Sequence, residues 1–183
     1  MENLLNNIIR KRRSVFPLQY NGELVSNSTI DEVLYNANTA PAHKMTQPWL
    51  FKVFHSDSKL KLANEIIRLK SDKELSDHIK NNINQKFKLS SHVICMSRDE
   101  DEVIPEWEEL AATSMSVQNM WLTCTSYDLG CYWSSPALIS KLHSFLNLKD
   151  NEKCLGLFYI GKYDNLPERK IIRESINNKV EWI

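Results

Sequence analysis

Between Leu110 and Tyr127 this 183-residue chain carries no charged side chain. The run is long enough to be a membrane span, yet Thr113, Ser114, Ser116, Gln118, Asn119, Thr123, Thr125 and Ser126 make it too polar for hydrocarbon. A segment with neither charge for water nor apolarity for lipid reads as a helix inside a protein. Its start is marked by Glu106, Glu108 and Glu109, anions that the N-terminal end of a helix dipole favours. The spacing therefore predicts a long buried helix over 106–127. The rest of the chain must build a layer around it.

Composition limits what that layer can be. Lys+Arg 23 against Asp+Glu 23 gives zero formal charge, which disfavours a general grip on nucleic acid or anionic membrane. Hydrophobic residues at 42% suit a packed globule, and no linker, repeat or low-complexity tract divides it. The expectation is one α+β domain over 1–183, with helices and short strands interleaved. Only four glycines are present, Gly22, Gly130, Gly156 and Gly161, so no G-x-G-x-x-G dinucleotide loop can be written. Gly156–Lys162 does spell G-x4-G-K, but Leu157, Phe158, Tyr159 and Ile160 are bulky strand formers unsuited to cradling phosphate. Four cysteines form no C-x-x-C pair, and five histidines show no metal-ligand spacing. Without an apolar leader at the N-terminus, a reduced cytoplasmic protein with thiols as core filler is expected.

Periodicity places the remaining elements. Leu4, Leu5, Ile8 and Ile9 share one face of a helix over 3–12. Ser28-Thr-Ile-Asp31 reads as a capping box opening a second helix with Ile30, Val33, Leu34 and Ala37 as its stripe. Trp49–His55, His92–Ser97, Gly130–Ser134 and Leu155–Gly161 read as strands, and 59–70 and 73–87 as polar-faced helices. Arg98–Glu102 is read as a solvated acidic turn. Ser135-Pro136 reads as a cap and first-turn proline for a helix reaching about Leu146.

Three short segments carry groups that could do chemistry. Arg10-Lys-Arg-Arg-Ser14 is either a set of cations complementing a helix C-terminus or an anion clamp, since guanidinium forks bind phosphate bidentately. Ala40–Trp49 places His43 and Gln47 on a loop stiffened by Pro41 and Pro48, and an ordinary loop with a capping histidine explains it equally well. Gly130–Pro136 is an aromatic strand end running into a helix start, either a wall for a flat ring or a core strand with a normal cap. No segment decides the matter singly.

Their order and spacing do more. Arg-Arg-Ser near residue 12, A-P-x-H-x-x-x-Q-P-W some 25 residues later, P-x-W-E before the long helix, and G-x-x-W-x-S resemble the nitroreductase-like, FMN-dependent oxidoreductases. The likeness runs from Arg10 to Gly161 and is greatest to the compact bacterial subgroup. It implies a central, mostly antiparallel sheet flanked by helices in an intertwined homodimer, with FMN at each subunit interface. NADH or NADPH would donate electrons, and a nitro compound, quinone or similar small acceptor would receive them. The same fold also houses specialised reactions such as reductive dehalogenation, and a flavin-storage protein is the non-enzymatic alternative.

By the resemblance, Arg12, Arg13 and Ser14 contact the flavin phosphate and ring edge. Thr39 and His43 reach the flavin of the other subunit, and Trp133, Ser134 and Ser135 line the site. Close members carry arginine where this chain has Thr39 and Ser134, which leaves more of the clamp to Arg12 and Arg13. Because flavin performs the hydride step, no catalytic triad or carboxylate pair is required of the chain. Val180-Glu-Trp-Ile183, an apolar end on a polar tail, is expected to dock on the partner.

Overall fold

The computed structural model describes residues 3–70, 75–100, 103–168 and 172–183. Asn3 caps helix α1 (Leu4–Lys11), its side-chain oxygen accepting from the Leu5 and Asn6 amides. Helix α2 (Asn27–Ala37) is capped by Ser26, whose hydroxyl accepts from the Thr29 amide. The capping box expected at Ser28–Asp31 is thus displaced. Ser26 is the residue in extended backbone three positions before a free amide, and Ser28 already lies inside the helix.

Four strands follow in the order β1 (Trp49–His55), β2 (His92–Asp99), β3 (Gly130–Ser134) and β4 (Glu152–Gly161). They form one sheet arranged β1-β2-β4-β3, with every described pairing antiparallel. Ile94 lies opposite Phe158, and Tyr132 opposite Tyr159. The G-x4-G-K run is therefore a central strand, with Leu157, Phe158, Tyr159 and Ile160 all buried. Alternation along the strands then divides the core. Ile94, Met96, Phe158 and Ile160 pack under α2 and α5 (Glu106–Ser126). Val93, Cys95, Leu157 and Tyr159 pack under α3 (Ser56–Lys70), α4 (Asp77–Leu89) and the segment after β3. The start expected for α4, near Lys73, lies outside the described residues.

Three expectations change. The long helix is interior along one face only: Ala112, Ser116, Val117, Met120 and Cys124 are buried, while Trp107, Leu110 and Met115 are exposed. The helix expected from Ser135 to Leu146 is a 3-10 segment, Ala137–Leu142. Pro136 holds extended backbone and no side chain caps the first turn, so the chain tightens while still burying Leu138 and Leu142. Arg98 is not solvated turn. It is buried in β2, with its guanidinium 2.5 Å from the carboxylates of Glu100 and Glu106 and 3.7 Å from that of buried Glu109. Residues 101 and 102 of that turn lie outside the described residues. All four cysteines are free and buried, and no helix among the described residues is long and apolar enough to cross a membrane.

Candidate functional site

The end of α1 and the strand-like segment after it build the basic part of the site. None of the residues of α1 is buried, and Leu4, at 76% exposure, presents its apolar face outward. Past the helix, the Val15 amide donates to the Cys131 carbonyl at 3.0 Å, fastening the segment beside β3. The Arg13 carbonyl accepts from the Trp121 indole at 3.3 Å, and the same ring lies 4.9 Å beneath the Arg12 guanidinium. Arg12, Arg13 and Ser14 thereby line a cavity of about 760 Å³, with Leu129, Leu166 and Arg173 among its other walls.

The cations of this cavity differ in how they are held. Lys11 pairs with Asp128 across 117 residues of sequence. The Arg13 guanidinium donates to the Pro167 carbonyl at 3.3 Å, and its Nε is buried without a partner. Arg12 makes no ion pair among the described residues. Burial first, and then the like charge of Arg173, push its guanidinium below the ordinary arginine value. Two arginines, a serine hydroxyl and a third arginine around a space of this size can bind a phosphate monoester bidentately. An apolar side supplied by Val15, Leu129 and Leu166 suits a flat ring. The residues present fit a flavin mononucleotide.

The loop expected at the site lies elsewhere in this chain. Thr39 follows α2 and donates its hydroxyl to the Asn36 carbonyl at 2.8 Å, with the Asn119 amide 3.5 Å away. His43 Nδ1 lies 3.2 Å from the Glu108 carboxylate. Lys44, Met45 and Gln47 beyond it hold positive φ of 49°, 59° and 48°, a region that side-chain-bearing residues enter rarely and at a cost. Glu108 and Trp121 are thirteen positions apart on α5, about 20 Å along the axis. One chain thus separates His43 from the arginine cavity.

Trp133, Ser134 and Ser135 end β3 and start the next connection. Ser134 lies opposite Leu157 in the sheet, and Ser135 is exposed. The Trp133 indole rests on Gly156, where an added Cβ would clash with its Nε1. That nitrogen is buried without a partner. None of the three lines the cavity within the single chain. Sequence reasoning found the Arg-Arg-Ser segment but missed Arg173, Trp121 and the Glu108 contact, because each joins the site through the tertiary fold.

The sheet, its two covers and the order of these segments define a class of protein, and comparison agrees. Residues 9–162 match the model of the Nitroreductase family, so the chain belongs to that family. Its fold is likewise that of the "Nitroreductase-like Family Protein" of Bacillus cereus, with a TM-score of 0.84, 26% identity and coverage of 100% of this chain and 97% of that one. A Bacteroides fragilis nitroreductase with bound FMN shares the fold at a TM-score of 0.72 and 18% identity, covering 94% and 96% of the two chains. Among curated proteins, Bacillus subtilis (strain 168) "Putative NAD(P)H nitroreductase YfhC" is 27% identical over 173 residues, 91% of this chain and 88% of that protein.

Proposed function

We propose that this chain is an FMN-dependent oxidoreductase that passes two electrons from NADH or NADPH to a nitro compound, quinone or similar electron-poor acceptor. The observation that carries the reading is the pair Arg12 and Arg13, neither ion-paired among the described residues, on the wall of a cavity large enough for the cofactor. FMN, when bound, supplies hydride acceptance and return. The chain's own part is to hold and tune it. Arg12, Arg13 and Ser14 bind the phosphate, and a positive guanidinium near the ring edge favours the anionic reduced form. Trp133, Ser134 and Ser135, which do not line the cavity of one chain, would meet the ring only where two copies pair.

A second copy of the chain completes the site in this reading. Supporting it are the separation of His43 from the cavity and the apolar surface left open on one chain. Leu4, Trp107 and Trp182 are 76%, 68% and 95% exposed, too much large apolar area for a soluble monomer to leave in water. The tail ending in Trp182 and Ile183 is the segment proposed to dock on the partner. NAD(P)H and acceptor then use one flavin face in turn, which gives ping-pong kinetics.

The test is direct. Purified protein should be yellow and dimeric, release FMN on heating, and bleach within seconds when NADH or NADPH is added without oxygen. Released FAD, or a bound flavin that neither nicotinamide reduces, would overturn the proposal.

A further inference from the structure

Trp121 meets both Arg12 and Arg13, and it does so in two chemically different ways. Its indole N–H donates to the Arg13 carbonyl at 3.3 Å, which fixes the backbone from which the Arg13 side chain projects. Its ring face lies 4.9 Å from the Arg12 Cζ, within range of an attractive cation–π contact. The ring is itself fixed from behind. Phe158 of central strand β4 meets it edge-on, with centroids 5.5 Å apart and planes at 85°. Trp121 is half-buried and Phe158 fully so, which makes the indole a rigid tie between the sheet core and the basic cavity.

The contact answers a specific electrostatic difficulty. Arg12 stands among Lys11, Arg13 and Arg173 on the cavity wall, and both burial and Arg173 disfavour its charge. A carboxylate partner would relieve that repulsion but would also compete with a bound anion. An aromatic face relieves it with a quadrupole, leaving the guanidinium edge and its N–H groups free for phosphate oxygens. No hydrogen-bond acceptor takes the Arg12 side chain among the described residues.

We infer that Trp121 is the positioning residue of the phosphate clamp: it orients Arg12 and Arg13 toward a phosphate monoester without touching the ligand. The inference rests on the FMN reading and deepens it. Because Trp121 acts through the arginines, it should affect the phosphate of the cofactor and leave recognition of the isoalloxazine ring alone.

The experiment strips flavin from the full-length protein and titrates FMN and riboflavin, which lacks the phosphate, by fluorescence quenching. In Trp121→Leu, which loses both ring and N–H, FMN should bind at least tenfold more weakly while riboflavin stays within about twofold of wild type. Trp121→Phe keeps an aromatic face and loses the donor, so its FMN affinity should fall between the two. It also keeps packing against Phe158, and its result decides the matter if the leucine variant does not fold. Equal weakening of both flavins would make Trp121 a general packing residue and overturn the inference alone. Unchanged FMN affinity would overturn it as well. A wild-type protein that binds neither flavin would overturn the FMN reading and this inference together.

Discussion

The two halves of α5 handle arginine in opposite ways. Toward its N-terminal end, Arg98 is surrounded by Glu100, Glu106 and buried Glu109, so its charge is neutralised by the chain itself. Toward its C-terminal end, Arg12 and Arg13 meet a carbonyl and an aromatic face but make no ion pair among the described residues. The first arrangement holds the fold, since removing one member of a buried charge cluster strands the others. The second leaves positive charge able to act on an anion from outside. Partner identity therefore separates the structural arginine from the binding ones in the same direction as burial, since Arg98 is buried and Arg12 and Arg13 are half-buried. His92 adds a third treatment: buried beside His55 and Lys59, it is held uncharged, its pKa pushed down to about 4 by burial before either neighbour acts.

The largest effect should come from breaking the compensated cluster. Arg98→Ala removes the buried cation that Glu100, Glu106 and Glu109 share, and a loss of about 3–5 kcal/mol is expected. For a chain of this size that lowers the melting temperature by roughly 10 °C. Arg12→Ala should leave the melting temperature of flavin-free protein within about 2 °C of wild type, since the substitution strands no buried charge. Equal destabilisation by the two variants would erase the distinction.

Flavin affinity should rank the variants the other way. Removing one charge-assisted contact costs about 1.5–3 kcal/mol, so Arg12→Ala or Arg13→Ala should weaken FMN binding roughly ten- to a hundredfold. Unchanged affinity in both would assign these cations to the C-terminal end of α1 and its dipole. For His92 the sign follows from linkage. Its folded pKa lies below the unfolded value of 6.5, so the unfolded chain binds the extra proton first. Its share of stability is complete above pH 6.5 and is lost as pH falls toward 4, on the order of 3 kcal/mol. Urea midpoints measured from pH 7.5 to 4.5 should show that slope, and His92→Gln should flatten it.

The smallest effect is a salt response. Raising ionic strength from 0.1 M to 1 M shortens the screening length from about 10 Å to about 3 Å. FMN affinity should fall severalfold, while the melting temperature of the flavin-free protein barely moves because Arg98 and Glu109, at the centre of their cluster, are shielded from solvent. A melting temperature that tracks salt as steeply as FMN affinity does would mean that both clusters are open to solvent.

What was legible in the sequence follows the range of the interactions involved. The long helix was readable almost to the residue because its acidic start and uncharged run are local signals, and Glu106–Ser126 matches 106–127 closely. Strand β4 was readable because bulky side chains exclude the loop alternative. Arg12, Arg13 and Ser14 were found as a candidate clamp, whereas the cavity that gives them meaning needs Leu166 and Arg173, some 150 residues on. The Arg98 cluster failed for the same reason. Read locally, Arg98–Glu102 is a hydrophilic turn, and only the pairing of β2 against β1 and β4 places its arginine inside. The 3-10 segment after Pro136 failed on a finer point, because leucines four apart suit an α-helix and say nothing of whether the first turn is capped.

The distance between His43 and the arginine cavity bears on inheritance as well as on chemistry. In the shared-site reading, each site takes its arginines from one copy and its histidine from the other. A chain crippled at Arg12 and a chain crippled at His43 would each form defective pairs with their own kind. Mixed in one pair, they yield one site with both defects and one with neither. Two inactive alleles could then restore each other in the same cell, with every mixed pair carrying one working site.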